Sequence, residues 1–321
     1  MTTSLIPEVR LPITYDVEAL RAALDTGVQR FGVKSRGRFR DGSEHPNLGG
    51  LSLQSIGGRW DDVTSGRPSL VGFRETELVR EAPYFKHVLD SLKCPKFAVR
   101  LHELGPQGHI EPHTDDLGFD KAMLRLHVPI ITSEDVVFDI DGHRCRWGAG
   151  ELWFGDFSRR HFVRNDGRTP RVHLVVDVGI NDFVLGLFPE EYVRAQPRIM
   201  KYAPAIPTLP EELKKLECSF SISGALFGMA LPEVVPVEWE ARAQYDIDMH
   251  LSGERLVLGC EGRDAIALEA IGERTFRMIG GPTHLSLSFD VDPATGGVGA
   301  LRLDMGGKAM TLPVRPLRAG A

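Results

Sequence analysis

Three residues in the middle of the sequence have the types and spacing of a metal site. His113 and Asp115 form an HxD pair, and His161 follows them after the segment 153–156 (WFGD). Residues two apart on an extended segment point to the same side, so His113 and Asp115 can reach one ion. Two imidazoles and one carboxylate leave about three coordination positions open, as in Fe(II) oxygenases, whereas a structural zinc site closes all four.

Arg171, ten positions after His161, is a candidate to bind a co-substrate. An oxygenase that uses a dicarboxylate needs a fixed cation for the distal carboxylate, and guanidinium offers a bidentate fork that stays charged. An HxD pair alone is common, and a single histidine in a strand is more often a core residue than a ligand. The combination with His161 and Arg171 is more specific. Asp116 is the rival carboxylate ligand, although strand alternation favours Asp115.

The segment 96–188 resembles the aspartyl/asparaginyl β-hydroxylase family, whose bacterial branch includes L-proline cis-4-hydroxylase-like enzymes. The motifs that carry the resemblance are Pro112-His113-Thr114-Asp115, Arg125-Leu126-His127, Gly150-Glu151-Leu152-Trp153-Phe154, His161 and Arg171-Val172-His173-Leu174-Val175-Val176-Asp177. The resemblance implies a double-stranded β-helix that uses Fe(II), 2-oxoglutarate and O2. It covers the N-terminal 95 residues loosely and the C-terminal part not at all.

By position, the resemblance implies a role for each motif residue. His113 and His161 match the iron histidines, and Asp115 completes the triad as in the bacterial branch. Arg171 matches the arginine that pairs with the distal carboxylate of 2-oxoglutarate. Arg125 and His127 match a pair near the other carboxylate of the co-substrate.

Four further residues are candidates to line the pocket. His102 lies on the strand before the iron loop and is a co-substrate candidate, with a buried structural histidine as the alternative. Arg100 is a candidate for a substrate carboxylate, with a surface salt bridge as the alternative. His173 shares a strand face with Arg171. Trp60, in Gly-rich N-terminal loops, is a substrate-wall candidate, with a plain surface turn as the alternative.

The elements that must position these residues are mainly short strands. The segments 96–104, 123–131, 136–140, 151–154 and 171–178 are alternating or β-branched runs separated by turn residues, which is typical of a jelly roll. Helices are predicted over 16–24 and 82–92. The predicted fold class is mainly β, with a double-stranded β-helix (jelly roll, cupin-like) core, flanking helices and a C-terminal all-β domain.

Three segments are predicted from these patterns. Residues 1–190 form the oxygenase domain. Residues 191–211 form a proline-rich, helix-containing linker, because a packed sheet does not tolerate the five prolines between Pro189 and Pro210. Residues 212–321 form a small all-β domain of unassigned role that contains no cluster of metal ligands.

Composition sets limits on the function. The 321 residues include 42% hydrophobic and 26% charged residues, and the formal net charge is −6. Mixed charge argues against a dedicated nucleic-acid binder. We expect no signal peptide and no membrane span. The four cysteines lie far apart without a CxxC pair, which favours a reduced cytoplasm and argues against thiolate zinc.

The sequence therefore predicts a 2-oxoglutarate-dependent hydroxylase of an amino-acid side chain. The substrate is a free amino acid, an aspartyl residue of a peptide or an aminoacyl group on a carrier protein. The extra β-domain is a candidate for substrate docking or for a homodimer. Two alternatives stay open: a cupin-type metalloenzyme that does not use 2-oxoglutarate, and a non-catalytic jelly-roll binding module.

Overall fold

The computed structural model describes residues 5–35, 48–224, 243–292 and 297–317. The chain divides into two compact units, Met1–Ser65 with Phe73–Tyr202, and Gly66–Gly72 with Ala203–Ala321. The division at Tyr202 falls inside the segment 191–211 that was predicted as a linker. Residues 191–202 therefore belong to the first unit, where Tyr192 is buried in the core, and residues 203–211 belong to the second.

The first unit consists of two β-sheets with helices on one side. Its large sheet has the strand order β1-β10-β7-β12-β5-β3-β2, with β4 paired to β3, and its small sheet has the order β6-β11-β8-β9. The strands are β1 (Glu8–Thr14), β2 (Lys34–Ser35), β3 (Leu48–Ile56), β4 (Phe73–Glu75), β5 (Lys96–Leu104), β6 (His109–His113), β7 (Met123–Ile131), β8 (Val136–Ile140), β9 (His143–Cys145), β10 (Glu151–Gly155), β11 (His161–Asn165) and β12 (Arg171–Gly179). The helices are α1 (Val17–Phe31), α2 (Glu77–Glu81), α3 (Pro83–Ser91), a 3-10 helix (Phe119–Lys121), α4 (Asp182–Leu185) and α5 (Glu190–Arg194).

The predicted mainly β, jelly-roll class is confirmed, and the five predicted strands appear with their ends within one residue. The strand β12 lies at the centre of the large sheet, between β7 and β5, and all nine of its residues are buried. Its side chains alternate between two environments. Val172, Leu174, Val176 and Val178 belong to the core shared with the helices. The intervening residues face the small sheet.

A second core lies between the two sheets. It joins Leu104 of β5, Phe138 and Ile140 of β8, and Val163 of β11, together with Trp147 and Phe157 from the connecting loops. The ring of Trp147 contacts Phe138 edge-on at 4.7 Å. This aromatic packing forms the apolar part of the space between the sheets.

The second unit is a closed barrel, which confirms the predicted all-β C-terminal domain. Its strands follow one another in sequence order around the barrel. They are β13 (Cys218–Ser223), β14 (Gln244–Ser252), β15 (Arg255–Cys260), β16 (Arg263–Gly272), β17 (Thr275–Met278), β18 (Leu285–Val291), β19 (Val298–Met305) and β20 (Ala309–Arg315), preceded by α6 (Pro210–Lys214). Phe276 and Phe289 pack edge-on in its core at 5.5 Å. The segment Gly66–Gly72 belongs to this unit, because Ser69 exchanges backbone hydrogen bonds with Ile279 and Ala267.

All four cysteines are free thiols. Cys145, Cys218 and Cys260 are buried, and Cys94 is half-buried. Among the described residues, no helix has the length and apolar character needed to cross a membrane.

Phe154 of β10 offers a test of the helix-side core. Its ring is buried and contacts Phe188 at 5.1 Å, Phe119 at 5.6 Å and Tyr192 at 6.1 Å. We expect Phe154→Ala to lower the free energy of unfolding by about 3–5 kcal/mol, because it removes a large buried ring and leaves a cavity. Urea unfolding followed by tryptophan fluorescence measures this, since Trp60, Trp147 and Trp153 all lie in the first unit.

Ile6, whose side chain is 61% exposed, provides the matched control. Ile6→Ala should change the free energy of unfolding by no more than about 0.5 kcal/mol. Equal unfolding midpoints for the two variants would contradict the described packing.

Candidate active site

The structure brings the three predicted metal ligands together at one end of the small sheet. His113 ends β6 and His161 begins β11, and the two residues are directly paired across these antiparallel strands. Asp115 follows His113 in the next loop, where its backbone N–H donates to the carbonyl of Phe157 at 2.9 Å. One ligand atom from each side chain lies within 4.8 Å of the others.

Backbone carbonyls orient both imidazoles toward this cluster. Nδ1 of His113 lies 2.7 Å from the carbonyl oxygen of Glu111, and Nδ1 of His161 lies 3.0 Å from that of Arg159. A carbonyl only accepts, so each Nδ1 carries the proton and each Nε2 keeps its lone pair. The Nε2 atoms face Asp115, at 3.7 Å from Oδ1 for His113 and 3.8 Å from Oδ2 for His161. Two nitrogen lone pairs and a carboxylate form a donor set that fits Fe(II).

The charge states of these groups suit metal binding near neutral pH. Burial lowers the pKa of His161, so its imidazole is neutral. Burial on its own would raise the pKa of Asp115, but neighbouring positive charge, above all the guanidinium of Arg125, holds that pKa below its usual value. The carboxylate is therefore ionised and the imidazole is unprotonated, and an ion does not have to displace protons from either.

The structure separates Asp115 from its rival Asp116. The side chain of Asp116 is 62% exposed and forms an ion pair with Lys121. The side chain of Asp115 is 20% exposed and lies between the two histidines. The geometry therefore favours Asp115 as the carboxylate ligand.

Arg125 lies beside the metal cluster and is held by two carboxylates. Its Nε and Nη2 donate to Asp177 at 2.7 and 3.1 Å, and its Nη1 donates to Oδ2 of Asp115 at 2.5 Å. Burial would lower the pKa of Arg125, but the two carboxylates outweigh it and raise that pKa. The resemblance implied a role near a co-substrate carboxylate; the contacts in the structure are with Asp115 and Asp177.

Arg171, His173 and His127 form a second polar group on the inner face of the large sheet. Nη2 of Arg171 donates to Nδ1 of His173 at 2.8 Å, so that nitrogen is unprotonated and His173 carries its proton on Nε2. Nδ1 of His127 lies 3.3 Å from the same atom and must be the donor of that pair. Burial lowers the pKa of both histidines well below the usual value, so both rings are neutral.

The guanidinium of Arg171 is buried without a carboxylate partner among the residues that the structure describes. Arg171 is 3% exposed, and its Nε has no hydrogen-bond partner among the described residues. The guanidinium carbon lies 5.8 Å from the ring centre of Phe138. Burial lowers the pKa of Arg171 to about 9, which still leaves it charged at neutral pH. A buried, unpaired cation is costly, so this group is well suited to receive an anionic ligand.

The remaining predicted pocket residues fall in different places. His102 lies directly opposite His173 on β5 and shares its face of the sheet. Arg100 is also on that face, but it is buried and its Nη2 donates to Asp177 at 3.1 Å, so the alternative of a surface salt bridge is wrong. The structure places Trp60 against Phe31, with a ring separation of 5.3 Å, beside the helix-side core and not among the metal ligands.

A cleft of about 310 Å³ reaches His173 from the side of the loops around β8 and β9. Its wall includes Phe138, Trp147 and Arg146. The N-terminal strand β1 holds Trp147 in place, because the indole Nε1 of Trp147 donates to Glu8 at 2.5 Å. The other oxygen of Glu8 lies 2.8 Å from Nε2 of His143.

Sequence reasoning assigned no role to three of these residues, Asp177, Trp147 and Glu8. Asp177 could have been found, because a carboxylate in the apolar run of β12 requires a buried partner. Trp147 and Glu8 carried no comparable signal, since they are 139 residues apart and meet only through the pairing of β1 with β10.

Comparison with known proteins agrees with this geometry. Residues 51–179 match the family model described as aspartyl/asparaginyl beta-hydroxylase. The chain is 28% identical over 134 residues to L-proline cis-4-hydroxylase of Rhizobium meliloti (strain 1021), which is 41% of this chain and 45% of that enzyme. The chain thus spans less than half the length of this relative.

Solved structures with similar folds have low identity. An oxidoreductase of the 2OG-Fe(II) oxygenase family from Burkholderia pseudomallei is 15% identical with a TM-score of 0.36, covering 55% of this chain and 86% of that one. A prolyl hydroxylase from Trichoplax adhaerens, solved with a hypoxia inducible factor peptide, is 12% identical with a TM-score of 0.37, covering 57% and 88%.

The match over residues 51–179 includes His113, Asp115, His161 and Arg171, in the order and spacing that suggested the family from sequence alone. The expected family is confirmed. Over these residues, the chain matches the model of the aspartyl/asparaginyl β-hydroxylase family.

Proposed function

We propose that the first unit is an Fe(II)- and 2-oxoglutarate-dependent hydroxylase that acts on an amino-acid side chain. One observation carries this proposal. The buried guanidinium of Arg171 has no carboxylate partner in the described part of the chain, and it faces Phe138 of the small sheet, the sheet whose strands β6 and β11 carry His113 and His161. An acid with two carboxylates can chelate a metal at one end and neutralise a buried arginine at the other.

In this proposal His113 and His161 bind Fe(II) through Nε2, and Asp115 binds it through a carboxylate oxygen. When bound, Fe(II) and 2-oxoglutarate supply the chemistry that activates O2 and hydroxylates an unactivated C–H bond. The protein holds the imidazoles in one tautomer, because each Nδ1–H donates to a backbone carbonyl. These hydrogen bonds also fix the ring orientation before the metal arrives.

Arg171 receives the distal carboxylate of 2-oxoglutarate. His173 and His127 are neutral and add no positive charge beside it, while His102 lies across the strand pair on the same face. The aromatic wall of Phe138 and Trp147 keeps this part of the space apolar. A low local dielectric strengthens the pairing of the guanidinium with a carboxylate.

For the substrate we propose an amino acid with a free carboxylate, bound near Arg100 and His173. The named relative acts on L-proline, and Arg100 is a buried cation that shares the charge of Asp177 with Arg125 and leaves its own Nε without a partner. A cupin-type enzyme without 2-oxoglutarate would keep the metal ligands but would have no use for the unpaired charge of Arg171. A binding module would need neither the metal ligands nor the unpaired charge of Arg171.

The first prediction concerns the metal and the co-substrate together. Anaerobic addition of Fe(II) and 2-oxoglutarate to metal-free protein should produce the weak visible charge-transfer band of the chelate. His161→Ala should abolish the band because it removes one of three ligands. His250 lies in the barrel and pairs with Asp264, so His250→Ala is the control and should retain the band. Iron binding without a band would favour the cupin alternative, and absence of iron binding would favour the binding module.

The second prediction separates Arg171 from the metal ligands. Arg171→Met keeps much of the side-chain volume but removes the charge. We expect the KM for 2-oxoglutarate to rise by roughly 30-fold or more, equivalent to about 2 kcal/mol or above, because a buried carboxylate loses its partner. Iron affinity should be unchanged. Succinate formation at varied 2-oxoglutarate measures the effect.

Arg164→Met is the matched control, since Arg164 is exposed and forms an ion pair with Asp166 at the surface. It should leave the KM for 2-oxoglutarate as in the parent protein. If the KM of Arg171→Met for 2-oxoglutarate equals that of the parent protein, Arg171 does not bind the distal carboxylate.

The third prediction concerns the substrate carboxylate. Free amino acids should stimulate 2-oxoglutarate turnover, whereas their C-terminal amides should not, because the amide has no charge to pair with Arg100. Arg100→Gln should reduce this preference for the acid. Stimulation by amides or by internal peptide residues at the same level would instead support a peptide or carrier-bound substrate.

A further inference from the structure

Asp177 is a buried carboxylate that no proposed step uses directly. It lies near the end of β12, its residue has no exposed surface, and it faces the space between the sheets. Arg125 donates to it through Nε at 2.7 Å and Nη2 at 3.1 Å, and Arg100 donates through Nη2 at 3.1 Å. Two guanidinium groups therefore share this one carboxylate.

The contact between Asp177 and Arg125 determines where the rest of that guanidinium points. A guanidinium is planar, and a two-point contact with a carboxylate fixes its plane and direction. With Nε and Nη2 on Asp177, only Nη1 of Arg125 remains, and it donates to Oδ2 of Asp115 at 2.5 Å. Asp177 thus acts on the metal cluster through one intermediate side chain.

The consequence for Asp115 is that its two oxygens differ. Both oxygens face the histidines, with Oδ1 at 3.7 Å from Nε2 of His113 and Oδ2 at 3.8 Å from Nε2 of His161, but it is Oδ2 that accepts a hydrogen bond from Arg125. An oxygen already engaged by a guanidinium is a poorer ligand than one with free lone pairs. Binding through one oxygen uses a single coordination position, and the positions that a co-substrate and O2 require stay open.

The charges around this chain of contacts also balance. Arg100 and Arg125 carry two positive charges, and Asp177 and Asp115 carry two negative charges. Loss of the charge of Asp177 would leave two guanidinium groups against one carboxylate, next to a site that must accept a divalent cation. Metal affinity therefore depends on Asp177 by charge as well as by geometry.

We propose that Asp177 is a positioning residue: acting through Arg125, it presents Asp115 to the metal by one oxygen and sets the affinity and coordination number of the site. The proposal rests on the proposed metal site. It assigns no contact of Asp177 with the metal, the co-substrate or the substrate.

The test uses Co(II) as a spectroscopic metal and needs no turnover. Metal-free wild-type protein and Asp177→Asn are titrated with Co(II), and the visible d–d absorption is recorded. We expect Asp177→Asn to bind Co(II) about 10–100-fold more weakly, as is typical when a group behind a metal ligand is lost. We also expect weaker d–d absorption, since absorption falls as a bidentate Asp115 raises the coordination number. Unchanged affinity and spectrum would overturn the proposal.

Asp166→Asn is the matched control, because Asp166 is exposed and pairs with Arg164. It should keep the wild-type affinity and spectrum. Failure of wild-type protein to bind Co(II) at all is a different result, which overturns the proposed metal site itself.

A second variant covers the case in which Asp177→Asn does not fold. Arg125→Lys keeps the positive charge but cannot contact Asp177 and Asp115 in a fixed plane. Like Asp177→Asn, it should weaken the d–d absorption. Its loss of Co(II) affinity should be smaller than that of Asp177→Asn, because the charge balance is retained. A wild-type spectrum in Arg125→Lys would overturn the geometric part of the proposal.

Discussion

Charged and polar side chains on one face of a fully buried strand impose the main constraint on this protein. The strand β12 is covered on both sides, so Arg171, His173 and Asp177 are removed from water together with the apolar residues between them. A buried charge costs free energy unless it is paired and hydrogen-bonded. Neighbouring strands must therefore provide groups of opposite charge or hydrogen-bond partners. Where such a group is present the buried charge is neutralised, and where it is absent the charge can bind a ligand.

The two ends of β12 meet this constraint in opposite ways. Asp177 is saturated by Arg100 and Arg125, which link it to the ligand cluster at Asp115. Arg171 meets only the neutral ring of His173 and the face of Phe138 among its described contacts. One end is therefore a paired network that holds a metal ligand in place, and among the described residues only Nε of Arg100 is left there for a further contact. The other end carries a net positive charge that an anionic co-substrate would neutralise.

Parts of the first unit outside the matched segment also shape this surface. Glu8 of β1 precedes residue 51, yet its carboxylate accepts from the indole of Trp147 and faces His143. Trp147 in turn stacks over Trp153, with a centroid separation of 5.7 Å, and over His173 at 6.1 Å. The N-terminal strand thus fixes an aromatic side chain that contacts the histidine next to Arg171. A hydrogen-bonded indole is held more firmly than one placed by packing alone.

Much of the fold and of the ligand set could be predicted from sequence because both depend on local spacing. The two-residue period of a strand placed His113 and Asp115 on one side and predicted that Arg171 and His173 share a face. Turn residues between β-branched runs gave the ends of five of the twelve described strands of the first unit to within one residue, and the same pattern predicted the all-β character of the second. Family motifs added roles that spacing could not supply.

Only the tertiary structure decided which partners those residues have. Asp115 and Asp116 are adjacent in sequence, but one lies between His113 and His161 and the other pairs with Lys121 at the surface. Arg125 and Arg171 are both arginines on inner-facing positions, and only the pairing of strands gives one of them two carboxylates and the other none among its described contacts. Such partners come from segments far apart in the chain, so their contacts depend on strand register and sheet packing. Local sequence encodes the types of side chain, whereas the fold determines which charges neutralise one another.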